Sequence, residues 1–232
     1  NAKVAIDAAM AVMTQRNIEL PIMVSATVSD LAGRTLSGQT LEAFLASISS
    51  YPIFSVGLNC SFGADQMIGF LRQLARRAPY YISAYPNAGL PNSMGLYDET
   101  PESMAPKIGA MIDEGLVNII GGCCGTDEHF IAEYLPLVAG KTPHRPAEAS
   151  PYMQLSGLEL LEVTPEVHFV NVGERCNVAG SRKFLRLIKE KQYDEAVAVA
   201  RKQVEDGALV IDVNMDDGLL DAKSEMVNFL NR

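Results

Sequence analysis

Basic residues are scarce relative to acids. There are 19 lysines and arginines against 28 aspartates and glutamates, a net charge of −9 with histidine neutral. That balance argues against nucleic-acid binding through phosphate neutralisation. Long apolar runs are missing too. No uninterrupted stretch reaches the roughly 18 residues that a membrane helix needs, so no membrane partner is expected. No secretory leader opens the chain. It begins Asn1-Ala2-Lys3-Val4, with neither a methionine nor an apolar segment, and is expected to be a piece of something longer. Cysteine is sparse: Cys60, Cys123, Cys124 and Cys176. Adjacent cysteines pair poorly because the small ring strains the peptide. Four in a chain of this length do not make the disulfide framework of a small secreted domain. A reducing cytoplasm is the expected compartment, and clustered cysteines there read as metal ligands or redox groups.

What is present is a globular composition, with 48% apolar and 20% charged residues in 232 positions. That allows one or two domains with a sizeable core. Apolar runs at Pro21–Thr27, Ile53–Cys60, Tyr80–Tyr85 and Leu116–Gly122 read as strands. Between them, residues 3–16, 63–77, 102–114 and 127–139 read as helices. In residues 63–77, Ala64, Met67, Ile68, Leu71, Leu74 and Ala75 fall at helical spacing. Thr100-Pro101-Glu102 is a helix start: a cap, then proline at the first helical position, then an acid at the positive helix end. After Gly140 the texture becomes proline-rich and polar, and the βα rhythm restarts with a strand over 167–172. A helix over about 181–206 comes next, with a break near Gln192, then a strand over 208–213 and a helix over 221–231.

Near-continuous apolar strands at βα spacing predict α/β architecture with parallel strands. Polar and cysteine residues cluster just after the strands: Asn59-Cys60, Asn87, Cys123-Cys124, Glu174–Asn177 and Asn214–Asp217. The carboxyl-terminal rim is where TIM (β/α)8 barrels place their chemistry. No G-x-G-x-x-G follows any strand, which counts against a dinucleotide-binding sheet. One barrel needs about 250 residues. The units split four before the polar segment and two after it, so two incomplete barrels are expected.

Cys60 follows one strand, and Cys123-Cys124 follow another two units later. On one rim, three thiols suit zinc and leave a position open for substrate. A coordinated thiol is deprotonated outright, so a thiol substrate would become a thiolate at neutral pH. The alternatives are a redox dithiol at Cys123-Cys124, small buried hydrophobes, or a structural zinc site, which would need a fourth protein ligand. No fourth candidate has good spacing, and His129, His144 and His168 have no ligand spacing to one another.

Gly57-Leu58-Asn59-Cys60 followed by Gly121-Gly122-Cys123-Cys124-Gly125-Thr126 resembles the zinc signature of homocysteine S-methyltransferases. Asn171–Phe184 and Asp212–Gly218 resemble the start of a methyltetrahydrofolate-binding (pterin-binding) domain. Both in this order resemble the cobalamin-dependent methionine synthases. The resemblance implies the carboxyl-terminal part of a homocysteine-binding zinc barrel over 1–145, a linker over 146–165, and the amino-terminal part of a folate barrel over 166–232. It implies Cys60, Cys123 and Cys124 as zinc ligands and catalytic groups. It implies folate contacts from Gly180, Ser181 and Arg182, with Asn177, Asp212 and Asn214 on the same rim. The partners implied are homocysteine, methyltetrahydrofolate as methyl donor, and a separate cobalamin-binding domain of the parent protein. The homocysteine thiolate would take the open zinc position and attack the methyl group of methylcobalamin. A cobalamin-independent homocysteine S-methyltransferase is the alternative, but it leaves residues 167–218 unexplained. With both barrels incomplete, the isolated chain is expected to show little methyl transfer and to self-associate through open strand edges.

Overall fold

The computed structural model describes residues 1–232, which divide into a unit over Asn1–Glu162 and another over Val163–Arg232. In the first, helix α1 (Ala2–Arg16) precedes strand β1 (Ile22–Ala26), helix α2 (Leu41–Ile48), strand β2 (Ile53–Gly63) and helix α3 (Ala64–Arg77). Strand β3 (Tyr81–Asn87), helix α4 (Pro101–Asp113), strand β4 (Ile119–Ile120) and helix α5 (Glu128–Tyr134) complete the series. The four strands form one parallel sheet in sequence order, and the sheet is open, with β1 and β4 at its edges. Its helix-packed face is aliphatic: Val56, Leu58, Ile82 and Ala84 meet Met67, Leu71, Leu74, Met104, Ile108 and Met111, all at most 2% exposed. Near-continuous apolar strands are what a sheet buried in this way requires.

Helix α2 was not legible as a helix. Leu41, Ala43, Phe44, Leu45 and Ile48 are buried on it, so little amphipathic contrast remains to mark it. Its start is set by Thr40, whose hydroxyl accepts from the Ala43 N–H at 3.2 Å. Thr100 caps α4 with a reciprocal bond to Ser103 and Pro101 comes next, as the sequence reading expects.

The segment read as a linker over 146–165 carries structure of its own. Strands β5 (Met153–Ser156) and β6 (Leu160–Val163) form a two-stranded sheet. It is tied to the start of α2: Ser156 Oγ donates to the Ala43 carbonyl at 2.7 Å and Thr40 N–H to the Leu158 carbonyl at 2.9 Å, while Arg34 pairs with Glu159. Residues 146–162 therefore belong to the first unit. The contacts are polar and span more than 100 residues of sequence, so composition shows none of them.

His144, in the same proline-rich stretch, is only 6% exposed. Its backbone is held by the Val117 carbonyl and by Asn118 Nδ2, and its ring Nε2 has no partner. Burial pushes its pKa below the ordinary value, partly offset by a hydrogen bond to the Gly115 backbone. The neutral ring is thus favoured in the folded state. Its contribution to stability is present in full above the unfolded value near 6.5 and is lost as the pH falls from there through the lowered folded value. The unfolding midpoint of the first unit should fall between about pH 7 and pH 5, and His144→Leu should flatten that slope. Calorimetry showing the same slope in the variant would contradict this.

The second unit contains strand β7 (Val172–Asn177), helices α6 (Arg182–Lys189) and α7 (Tyr193–Glu205), strand β8 (Val210–Asn214) and helix α8 (Ala222–Leu230). β7 and β8 are parallel and pair Cys176 with Val213 and Asn177 with Asn214. The core gathers Cys176, Phe184, Leu187, Ile188, Ala196, Met215 and Phe229. The break near Gln192 is real: Lys191 has a left-handed backbone (φ 59°) between α6 and α7. Its ammonium, with the Tyr193 hydroxyl, holds the buried Glu225 carboxylate of α8. The strand expected over 167–172 instead runs over 172–177. Pro165–Val167 form a 3-10 turn, and His168 follows at φ 57°, far from extended backbone, so the strand starts only beyond it. The polar run Glu174–Asn177 is therefore largely strand rather than the loop after one. No helix of either unit is long and apolar enough to cross a membrane.

Candidate metal centre

The end of β2 is bent. Its register with β3 shifts between Asn59 and Gly63, and Cys60 and Ser61 both have φ 62°. Left-handed backbone costs a side-chain-bearing residue roughly 1–2 kcal/mol, and such strain concentrates at functional sites. The bend sets the Ser61 backbone beside the Cys60 thiol. Ser61 is the largest influence on that thiol and, against burial, holds its pKa below the ordinary value.

The cysteine pair follows β4 and is sewn to the end of β3. Cys123 N–H donates to the Pro86 carbonyl at 2.9 Å, Cys124 N–H to Asn87 Oδ1 at 3.1 Å, and Ala88 N–H to the Cys124 carbonyl at 2.9 Å. The turn beyond is closed by Thr126, whose hydroxyl donates to the Cys123 carbonyl at 2.7 Å. It lies where a side chain on Gly122 would be, so glycine is required there.

All four cysteines are free thiols. The sulfurs of Cys60, Cys123 and Cys124 lie within 4.8 Å of one another, at 3.7 Å for Cys60–Cys124 and 3.9 Å for Cys123–Cys124. A disulfide needs about 2.05 Å. Four sulfurs around zinc at about 2.3 Å are separated by about 3.8 Å, so two of the three separations match a tetrahedral edge. Burial, with hydrogen bonds to Cys124 and Cys60, pushes the Cys123 thiol up to about 11. Three thiolates this close repel, and a cation among them removes that penalty. The residues present thus fit a thiophilic metal ion.

Two neighbours carry no role in the sequence reading. Asn87 holds the Cys124 N–H and, beside the Cys60 thiol, adds a small lowering influence on its pKa. Tyr97 packs its ring against Gly125, the residue after the pair, and the nearby Cys124 together with burial raises its pKa. Asn87 stood out only as a polar residue after a strand. Tyr97 sits in a loop whose path no local pattern gives.

In the second unit, Asn177 and Asn214 end their strands side by side. Asn177 Oδ1 accepts from the Ala179 and Gly180 N–H groups at 2.9 and 3.1 Å, and Asn214 Oδ1 from Asp216 N–H at 2.8 Å. Ser181 caps α6, its hydroxyl accepting from Phe184 N–H at 3.2 Å, and Arg182 opens that helix, exposed. Asp212 precedes Asn214 by two residues on the same face of β8 and is exposed. Asn177, Gly180, Ser181 and Asn214 thus meet at one end of the sheet. Cys176 is not among them: it is buried in the core, its sulfur accepting from Gln203 Nε2 at 3.3 Å.

The model of the homocysteine S-methyltransferase family matches residues 1–135, more than half of the chain. The chain belongs to the homocysteine S-methyltransferase family. The model of the pterin-binding enzymes matches residues 173–232. The family match contains all three clustered cysteines, and the pterin match contains β7 from its second residue, β8 and the loop between Asn177 and Ser181. Together they support a methyltransferase role in homocysteine and folate metabolism.

Proposed function

We propose that the first unit binds zinc through Cys60, Cys123 and Cys124 and presents homocysteine as a methyl acceptor, and that the second binds methyltetrahydrofolate as methyl donor. The observation that carries the zinc reading is the set of three free sulfurs within 4.8 Å, two of their separations at tetrahedral spacing, with no fourth cysteine among them. Zinc held there would supply Lewis acidity, keeping an incoming thiol ionised at neutral pH. The chain's own residues do the positioning. The left-handed turn at Cys60-Ser61 aims the first sulfur, and the Pro86 carbonyl and the Asn87 side-chain oxygen, holding the Cys123 and Cys124 N–H groups, fix the other two. For the second unit we propose Gly180, Ser181 and Arg182 as folate contacts, with Asn177, Asp212 and Asn214 beside them. A pterin ring offers donors and acceptors that such side chains can match.

Cobalamin-dependent methionine synthesis is the finer reading. It is supported by the order of the two family matches along one chain, since a homocysteine methyltransferase using another donor leaves residues 173–232 without a purpose. No residue of this chain is assigned to cobalamin, and we propose that a separate domain carries it. Assignment of the first unit as a homocysteine domain and of the second as a folate domain, and residence in the cytoplasm, belong to the same proposal.

The test is homocysteine binding by calorimetry in two buffers of different ionisation enthalpy at pH 7. Zinc-loaded protein should bind homocysteine and release about one proton, because a thiol of pKa near 8.5 is bound ionised. Protein stripped by a chelator should not bind. Binding that ignores zinc, or releases no proton, would contradict the proposal.

A further inference from the structure

β7 contains an irregularity that the proposed folate contacts do not explain. Its register with β8 runs Gly173 to Ile211 and then Cys176 to Val213, so Glu174 and Arg175 stand opposite Asp212 alone. This is a β-bulge, uncommon between parallel strands, and it leaves a backbone N–H without a ladder partner. The partner comes from a helix. Gln203 of α7 accepts from the Arg175 N–H through Oε1 at 2.8 Å. Its Nε2 donates to Cys176 Sγ and to the Val199 carbonyl, both at 3.3 Å. Every polar atom of the amide is used, and a flipped amide would set a donor against the Arg175 N–H. Gly173 completes the arrangement, since a side chain there would lie 2.7 Å from Gln203 Oε1.

The bulge re-aims the residues beyond it. Glu174 Oε1 accepts from Asn177 Nδ2 at 3.2 Å, and that bond turns Asn177 Oδ1 toward the N–H groups of Ala179 and Gly180. We propose that Gln203 is a positioning residue for the folate site. Through the bulge it sets Glu174, through Glu174 it sets Asn177, and through Asn177 it shapes the 177–181 loop. The proposal rests on the pterin-binding reading of this unit. It also gives Cys176 a role, as an acceptor that locks the amide.

The test uses the whole chain with Gln203→Leu, which keeps the bulk and loses the amide, and Gly173→Ala, which displaces the amide from the other side. Gln203→Glu keeps an acceptor for the Arg175 N–H. Amide hydrogen exchange at Arg175, Ala179 and Gly180 should accelerate about five- to tenfold in the first two variants, the loss of one net hydrogen bond. Exchange within α6 should not change, and Gln203→Glu should keep Ala179 and Gly180 near wild type. Affinity for 5-methyltetrahydrofolate should weaken about five- to tenfold in the same two variants. Uniform acceleration through α6, acceleration at Arg175 alone, or unchanged folate affinity would overturn the proposal. Wild-type protein that does not bind 5-methyltetrahydrofolate would overturn the pterin reading itself, whereas the exchange pattern separately decides whether Gln203 sets the loop.

Discussion

Replacing Cys60 with alanine is expected to abolish stable zinc binding, although the variant keeps the adjacent pair Cys123-Cys124. The three sulfurs reach one point from two strand ends, and only Cys60 comes from β2. Neighbouring cysteines on one turn cannot enclose a tetrahedral ion. Apparent zinc affinities at closed protein sites correspond to about 10–16 kcal/mol. Losing one thiolate of three at an open site removes about 3 kcal/mol or more, which is a hundredfold or more in Kd. Competition with a coloured chelator would show it. Cys176→Ala is the control, because its sulfur sits in the core of the second unit and accepts from Gln203. A Cys60→Ala protein that retains zinc with wild-type affinity would mean that a different set of ligands holds the ion.

The second large effect concerns Phe184. Its ring is fully buried on α6, packed edge-on at 88° and 5.3 Å against Phe229 of α8, with Leu187 and Ile188 in the same cluster. Phe→Ala in such a core costs about 3–5 kcal/mol. A unit the size of Val163–Arg232 is held by roughly 4–10 kcal/mol at 0.05–0.15 kcal/mol per residue. The unfolding transition of the second unit should therefore drop by at least about 12 °C or vanish. The first unit has its own core, led by Met67, Leu71, Leu74, Ile82, Met104 and Ile108, so its zinc content should stay unchanged. Calorimetry with metal analysis on one sample reads both. Loss of zinc together with the second transition would show that the two cores do not stand alone.

The parallel βα order and the three-cysteine constellation were legible in the sequence, because both are written in local pattern. Apolar runs at βα spacing mark buried strands, and cysteines just after two of them mark a rim. The features that stayed hidden depend on long-range geometry. Helix α2 is too evenly apolar to show a period, and the β5–β6 pair is held by polar bonds to residues more than 100 positions away. The break near Gln192 is expected from the sequence, but the positive φ at His168 that delays the next strand is not advertised by its residue type. The same holds at the metal centre. Cysteine type and spacing gave the three sulfurs, but the strained pair Cys60-Ser61 and the roles of Asn87 and Tyr97 exist only once the strand ends are side by side. In the second unit the sequence pattern points to a strand about five residues before β7, since Gly173 and the polar run after it read as a loop. The bulge filled by Gln203 is what lets that polar run be strand.

The most direct measurement is zinc-edge X-ray absorption on the zinc-loaded chain, before and after homocysteine. An open three-thiolate site predicts about one zinc per chain, three sulfur neighbours near 2.3 Å, and a fourth sulfur when homocysteine is added. Four protein ligands from the outset with no change on adding homocysteine, or no zinc retained under reducing conditions, would contradict it.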